Sequence, residues 1–165
     1  MINCLVAVER NQGIGFDGQM PWPRLAGDMR WFREKTIDQI VIMGRKTWES
    51  IGSKNLPNRI NIVISREFVE HADRCFSETD RALDFCKLFY PYKEIYIIGG
   101  SAIYDQYFDI VDRFYVTEID ADYTCDKFFN LNYVKENCKV CKDLLYFDKT
   151  ETTPAYKIRE YTNAP

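Results

Sequence analysis

Histidine is nearly missing: the 165-residue chain has one, His71. That scarcity bears on Cys138 and Cys141, whose C-x-x-C spacing is half of a zinc site. No second pair follows, and the imidazole is far off in sequence, so no metal centre is expected and the two thiols read as structural. No apolar stretch approaches the roughly 20 residues of a membrane span. The apolar run at 2–8 has no basic lead, so no secretory leader is expected either. Basic residues are scattered in twos and threes, the net charge is −3 and the pI is near 5.3. Without a basic stripe, nucleic acid is not expected as a partner. The six cysteines (4, 75, 86, 125, 138, 141) are irregularly spaced, which suits reduced, mostly buried thiols in a cytoplasmic protein. Internal repeats, low-complexity tracts and linkers are lacking as well.

The composition is that of a folded enzyme-sized domain. Hydrophobic residues make up 46% and aromatics 15%, and one domain over 1–165 can bury a core without staples. Strands are expected at 2–8, 40–43, 59–65, 74–77, 94–98, 113–119, 145–149 and 156–161. Three of these, VIM, INIVIS and IYIIG, are unbroken apolar, β-branched runs, as in parallel strands covered on both faces. Helical spacing occupies 25–36, 46–51, 80–89 and 102–108. In the third of these, Ala82, Phe85, Cys86 and Phe89 recur at i, i+3, i+4 and i+7. Alternating strands and helices predict an α/β sheet, with an antiparallel hairpin finishing one edge in the last third.

One acid stands out. Asp28 lies in the largely apolar and aromatic stretch MPWPRLAGDMRWF, on the edge of an expected buried stripe of Leu25, Met29 and Phe32 at i, i+4 and i+7. A carboxylate taken from water without a partner costs several kcal/mol or binds a proton. A ligand that needs an acid is the economical reason to keep it. Ahead of it, residues 9–24 form a polar loop with Gly13, Gly15 and Gly18, which also carries the apolar Ile14 and Met20. Loops of that length in compact domains are often lids.

Three strand ends favour anions. IVIMGRKTWESIG (40–52) passes from strand through Gly44, Arg45, Lys46 and Thr47 into a helix, whose first N–H groups have no intrahelical partner. It is not a Walker A loop, because the first glycine of that motif is missing. IYIIGGSAIY (95–104) opens a helix with two glycines that let backbone approach a pyrophosphate. INIVISRE (60–67) ends in Ser65 and Arg66. If these strands are parallel neighbours, the turns converge at the carboxyl edge where open α/β sheets bind nucleotides. Arg45 and Arg66 would suit an extra 2′-phosphate.

The segments GIGFDGQMPW, GDMRWF, VIMGRKTWESIG, LPNRINIVISRE, IYIIGGSAIYDQY and FYVTEIDADYTCDKFF together resemble dihydrofolate reductase over nearly the whole chain. The resemblance implies an eight-stranded mixed, mostly parallel sheet with flanking helices. It also implies NADPH as hydride donor and dihydrofolate as acceptor, supplying one-carbon and thymidylate metabolism. By motif, Asp28 corresponds to the acid that holds the pterin, Thr117 to its hydroxyl partner, and Trp22 to a tryptophan beside the water path. Leu5, Val6, Met29, Phe32, Ile51 and Leu56 match substrate-pocket positions, and Arg59 matches the clamp for the α-carboxylate of the glutamate tail. Ala7, Ile14, Ile98 and Tyr104 correspond to the nicotinamide pocket, and Met20, on the lid loop, and Ile103 to further cofactor positions. Gly44, Arg45, Lys46, Thr47, Ser65, Arg66, Gly99, Gly100, Ser101 and Ala102 correspond to the cofactor turns. The resemblance further implies a small-molecule enzyme, and a monomer is the default.

Departures are few. Cys125-Asp126 stands where many relatives have Gly-Asp, Glu118 where bacterial relatives often have His, and 130–143 matches weakly and reads as peripheral. A related-fold reductase of a flavin precursor should lack the aspartate, MPW and arginine set, all of which are present. A non-catalytic pterin or nucleotide binder would keep the pockets without turnover, and NADPH oxidation by dihydrofolate separates the three.

Overall fold

Apolar, branched runs form the middle of the sheet. In the computed structural model, which describes residues 1–163, β1 (Ile2–Val8), β3 (Ile40–Gly44), β4 (Ile60–Ile64), β6 (Ile95–Ile97) and β7 (Arg113–Ile119) are almost wholly buried. With β5 (Arg74–Phe76), β9 (Val140–Phe147) and β10 (Tyr156–Thr162) they form one eight-stranded sheet in the order β5-β4-β3-β6-β1-β7-β10-β9. The pairs from β5 to β7 are parallel, and β10 runs antiparallel to both β7 and β9. The sheet is therefore mixed and mostly parallel, with a hairpin on one edge, as expected.

Alternation along each strand separates two cores. Ile40, Ile42, Ile62, Ile97 and Val116 face one layer with Ala82, Leu83 and Cys86 of α3 (Thr79–Phe89) and Ile103 and Tyr107 of α4 (Ser101–Tyr107). Leu5, Val41, Met43, Val63 and Tyr115 face the other with Trp48 of α2 (Arg45–Ser50) and Trp31 and Phe32 of α1 (Ala26–Thr36). A fully buried isoleucine or valine stabilises such a layer by about 1.5–3 kcal/mol relative to an exposed one.

Several expectations need correction. Within α1 only Thr36 is fully buried, while Met29 is 49% exposed rather than part of a buried stripe. The buried stripe of α3 is Ala82, Leu83 and Cys86, and Phe89 is exposed. Strand β9 starts five residues before the expected 145. The stretch after 130 is not peripheral: α5 (Leu131–Asn137) puts Leu131 and Val134 into the first core. A two-stranded sheet of β2 (Gly13–Gly15) and β8 (Lys127–Phe128) was not anticipated. All six cysteines are free, yet only Cys4 and Cys86 are fully buried.

Candidate active site

Register fixes the neighbours at the carboxyl edge. Strand β3 sets Gly44 opposite Ile64 of β4 and Ile42 opposite Ile97 of β6. The turns at Ser65–Arg66, Gly44–Arg45 and Gly99–Gly100 therefore lie side by side, and the Gly44 N–H donates to the Gly99 carbonyl at 2.8 Å. Gly99 has φ +115°, and a Cβ there would lie 3.1 Å from the Tyr104 hydroxyl. A Cβ on Gly44 would come 2.9 Å from Ile103 Cγ1. Gly44 and Gly100 precede α2 and α4 with no side-chain cap, leaving first-turn N–H groups without a side-chain partner. Arg45, Lys46 and Arg66 are exposed around them; Arg45 reaches Glu49 at 3.4 Å and Glu67 at 3.7 Å, exposed pairs that contribute little. Main chain that admits close approach, free N–H groups and three cations fit a phosphorylated dinucleotide such as NADPH.

Asp28 occupies the first turn of α1, where the helix dipole favours a negative charge. The Thr117 hydroxyl of β7 donates to Asp28 Oδ1 at 2.5 Å. Burial raises the Asp28 pKa above its ordinary value, and the Thr117 hydrogen bond opposes that rise. The helix start packs flush on the antiparallel edge: a Cβ on Gly27 would collide with the Phe147 ring, and the Gly27 N–H donates to the Tyr156 hydroxyl at 3.0 Å. Tyr104, whose hydroxyl donates to the Leu5 carbonyl at 2.7 Å, lies close enough for the Asp28 charge to help raise its phenol pKa, which burial already raises.

Phe32, Ile51 and Leu56 gather with Leu5 on the α1 side of the sheet, whereas Met29 is exposed and outside that cluster. Val6 faces the opposite core, so its side chain is not in that group. Ala7, which pairs with Thr117 in register, packs near Trp22, and Ile98 joins the α1-side core; Ile14 packs against the other core. Ser101 and Ala102 open α4, and Thr47 Oγ1 lies 3.6 Å from where a Gly100 Cβ would be. Trp22 is buried beside Leu25 and meets Tyr123 edge-on at 6.2 Å, whereas Met20 is exposed on its loop. Arg59 is aimed by two hydrogen bonds, to the Pro57 carbonyl at 2.9 Å and Thr36 Oγ1 at 3.1 Å. Partial burial and the neighbouring Arg33 lower its pKa.

Sequence reasoning missed the residues that hold this arrangement. Asn61, fully buried on β4, clasps the 56–59 turn through the Leu56 N–H, the Leu56 carbonyl and the Arg59 carbonyl. Arg33, Thr36, Gly27, Tyr156 and Glu9 were overlooked in the same way. A glycine beside an acid at a helix start was the one local hint. A separate depression of about 720 Å³, lined by Met1, Asp80 and Tyr90 among others, contains none of the predicted site residues.

The dihydrofolate reductase family model matches residues 1–162. A dihydrofolate reductase of Haemophilus influenzae is 43% identical over 128 residues, 77% of each chain. The chain belongs to the dihydrofolate reductase family. The mouse dihydrofolate reductase is 36% identical over 145 residues, 78% of each chain. A solved dihydrofolate reductase from Enterococcus faecalis, complexed with NADP(H) and RAB-propyl, superposes with a TM-score of 0.80 at 25% identity, covering 98% of this chain and 95% of that one. Family membership thus agrees with a sheet edge shaped for a dinucleotide beside the half-buried Asp28.

Proposed function

We propose that this chain reduces 7,8-dihydrofolate to 5,6,7,8-tetrahydrofolate with NADPH, and that Asp28 holds the pterin. The observation that carries the reading is the Asp28–Thr117 pair, 2.5 Å apart, at the sheet edge where three anion-ready turns converge. When bound, NADPH supplies the hydride, which is added at pterin C6.

Gly44, Thr47, Ser65 and Gly99 to Ala102 hold the cofactor by main chain and hydroxyls, while Arg45, Lys46 and Arg66 read its phosphates. Asp28 accepts from the 2-amino group and the adjacent ring nitrogen, a bidentate charge-assisted pair once the ring is protonated. Thr117 keeps one carboxylate oxygen oriented. Burial raises the Asp28 pKa, and a bound cationic ring would oppose that rise. Phe32, Ile51 and Leu56 wall the ring, and Arg59 clamps the α-carboxylate of the tail. The phenols near Asp28 are engaged elsewhere, Tyr104 donating to the Leu5 carbonyl and Tyr156 accepting from the Gly27 N–H, and the N5 proton is assigned to water admitted beside Trp22. Positioning and exclusion of other water are the protein's contribution.

The same reading takes residues 1–165 as one domain, acting as a cytoplasmic monomer; among the described residues no helix is long and apolar enough to cross a membrane. Loss of NADPH absorbance on adding dihydrofolate tests the reaction, and light scattering tests the monomer. No absorbance loss with folded, NADPH-bound protein would leave a binding module.

A further inference from the structure

Glu9 follows the last residue of β1 and is 2% exposed, yet its carboxylate meets only N–H groups. Oε1 accepts from the Asn11 and Gly13 main-chain N–H groups, both at 2.8 Å. Oε2 accepts from the Asn11 side-chain amide at 3.4 Å and from the Tyr123 main-chain N–H at 3.3 Å. Its neighbour Arg10 turns outward to Asp120 and Asp122 instead. One buried charge therefore joins the loop carrying Ile14 and Met20 to the loop carrying Tyr123, Cys125 and Asp126. The joint is tight: a Cβ on Gly13 would meet Cys125 Sγ and Cβ as well as Glu9 Oε1. Further along, the Asp126 N–H donates to the Gly15 carbonyl at 2.9 Å, and Tyr123 supports Trp22.

We infer that Glu9 is a positioning residue for hydride transfer, holding the lid loop against the 120s loop so that Ile14 and Trp22 stay in place over the nicotinamide and the pterin. The inference rests on the reductase reading. Three of the four N–H donors come from Glu9's own loop, and separation of the loops would remove the fourth, from Tyr123, together with the burial of the carboxylate. An amide at this position cannot do the same work: Glu9→Gln keeps an oxygen for Asn11 and Gly13 but sets an NH₂ against the Tyr123 N–H.

The test compares Glu9→Gln, Glu9→Asp and Arg10→Ala with the parent in single-turnover hydride transfer, steady-state KM for dihydrofolate and Tm. Glu9→Gln should slow hydride transfer by about 10- to 100-fold, the scale set by small misplacements of reacting groups, with KM for dihydrofolate within about two-fold. Glu9→Asp keeps the charge and should recover part of the loss. Arg10→Ala removes only the exposed tie between the same loops and should stay within about two-fold of the parent. Hydride transfer in Glu9→Gln at the parental rate, or equal losses in Glu9→Gln and Arg10→Ala, would overturn the inference. Should Glu9→Gln not fold, amide exchange in the parent decides: the Gly13 and Tyr123 amides should open in one step and slow together on adding NADPH, and independent opening would sink it. A parent that never oxidises NADPH with dihydrofolate would refute the reductase reading instead, whatever the amides do.

Discussion

The two sides of the cleft are built of different material. On the proposed cofactor side, Gly44, Ser65 and Gly99–Gly100 are strand ends locked by parallel register, and the main chain itself forms the surface. On the proposed pterin side, recognition rests on single side chains oriented by other single side chains, Asp28 by Thr117 and Arg59 by Thr36. A surface made of backbone is as rigid as the sheet beneath it, and tolerates many substitutions except an added Cβ at the glycines. A surface made of paired side chains is lost when one member goes. The contrast predicts graded losses on the first side and abrupt losses on the second.

The largest expected effect is on the side-chain wall. Asp28→Asn should still bind NADPH but lower hydride transfer at neutral pH by about 10²–10⁴-fold, the usual worth of acid–base assistance. Rates across the range from weakly acid to weakly alkaline check this, and near-normal turnover would end the assignment of Asp28. Next comes the phosphate reading on the backbone wall. Arg45→Ala combined with Arg66→Ala should weaken NADPH by roughly 10- to 100-fold and far more than NADH, the loss of a single charge-assisted bond of about 1.5–3 kcal/mol to the 2′-phosphate. Cofactor titration giving equal losses for the two dinucleotides would remove the 2′-phosphate role. Arg59→Ala should raise KM for dihydrofolate by about ten-fold at unchanged hydride-transfer rate, as expected for binding shared by ground and transition states.

Two stability measurements sharpen the same contrast. Gly99→Ala forces a side chain into φ +115° beside the Tyr104 hydroxyl and should cost about 1–3 kcal/mol in urea unfolding. Parental stability would show that this turn is not held as tightly as the register implies. The smallest effect concerns pH. Burial lifts the Asp28 pKa above the ordinary 3.8, so the native state takes up a proton before the unfolded chain does. Stability of the ligand-free protein should therefore rise as pH falls through that raised pKa, and the ionised acid is a liability above it. Asp28→Asn should melt higher than the parent at neutral pH, with the advantage shrinking as the solution is acidified through that window. A difference independent of pH would place the effect in the lost Thr117 bond.

The fold was legible where burial is two-sided. VIM, INIVIS and IYIIG are runs that only a covered parallel strand wants, and the buried β3, β4 and β6 follow them closely. Strand β9 was misplaced because it lies on the sheet's edge, with Cys141, Lys142 and Asp143 exposed in succession and no period of two to detect. Helix α5 offers only Leu131 and Val134 as buried positions, too few to establish a period; its one usable mark was Asn130, whose side chain accepts from the Tyr133 N–H. Met29 was expected to be buried because hydrophobic spacing alone does not separate an apolar residue on an exposed helix face from one facing a core.

Local order along the chain was enough to settle the sheet, its parallel centre and the glycine-bearing turns, because strand burial and backbone freedom are properties of a few consecutive residues. The resemblance to a family carried the roles of Asp28, Thr117 and Arg59. Which partners orient them was not readable: Thr117 stands 89 residues from Asp28, and Tyr123 stands 114 from Glu9. Hydrogen bonds across such distances exist only once the strands and helices have packed, since a polar side chain's partner is chosen by burial in space and leaves no period in the chain.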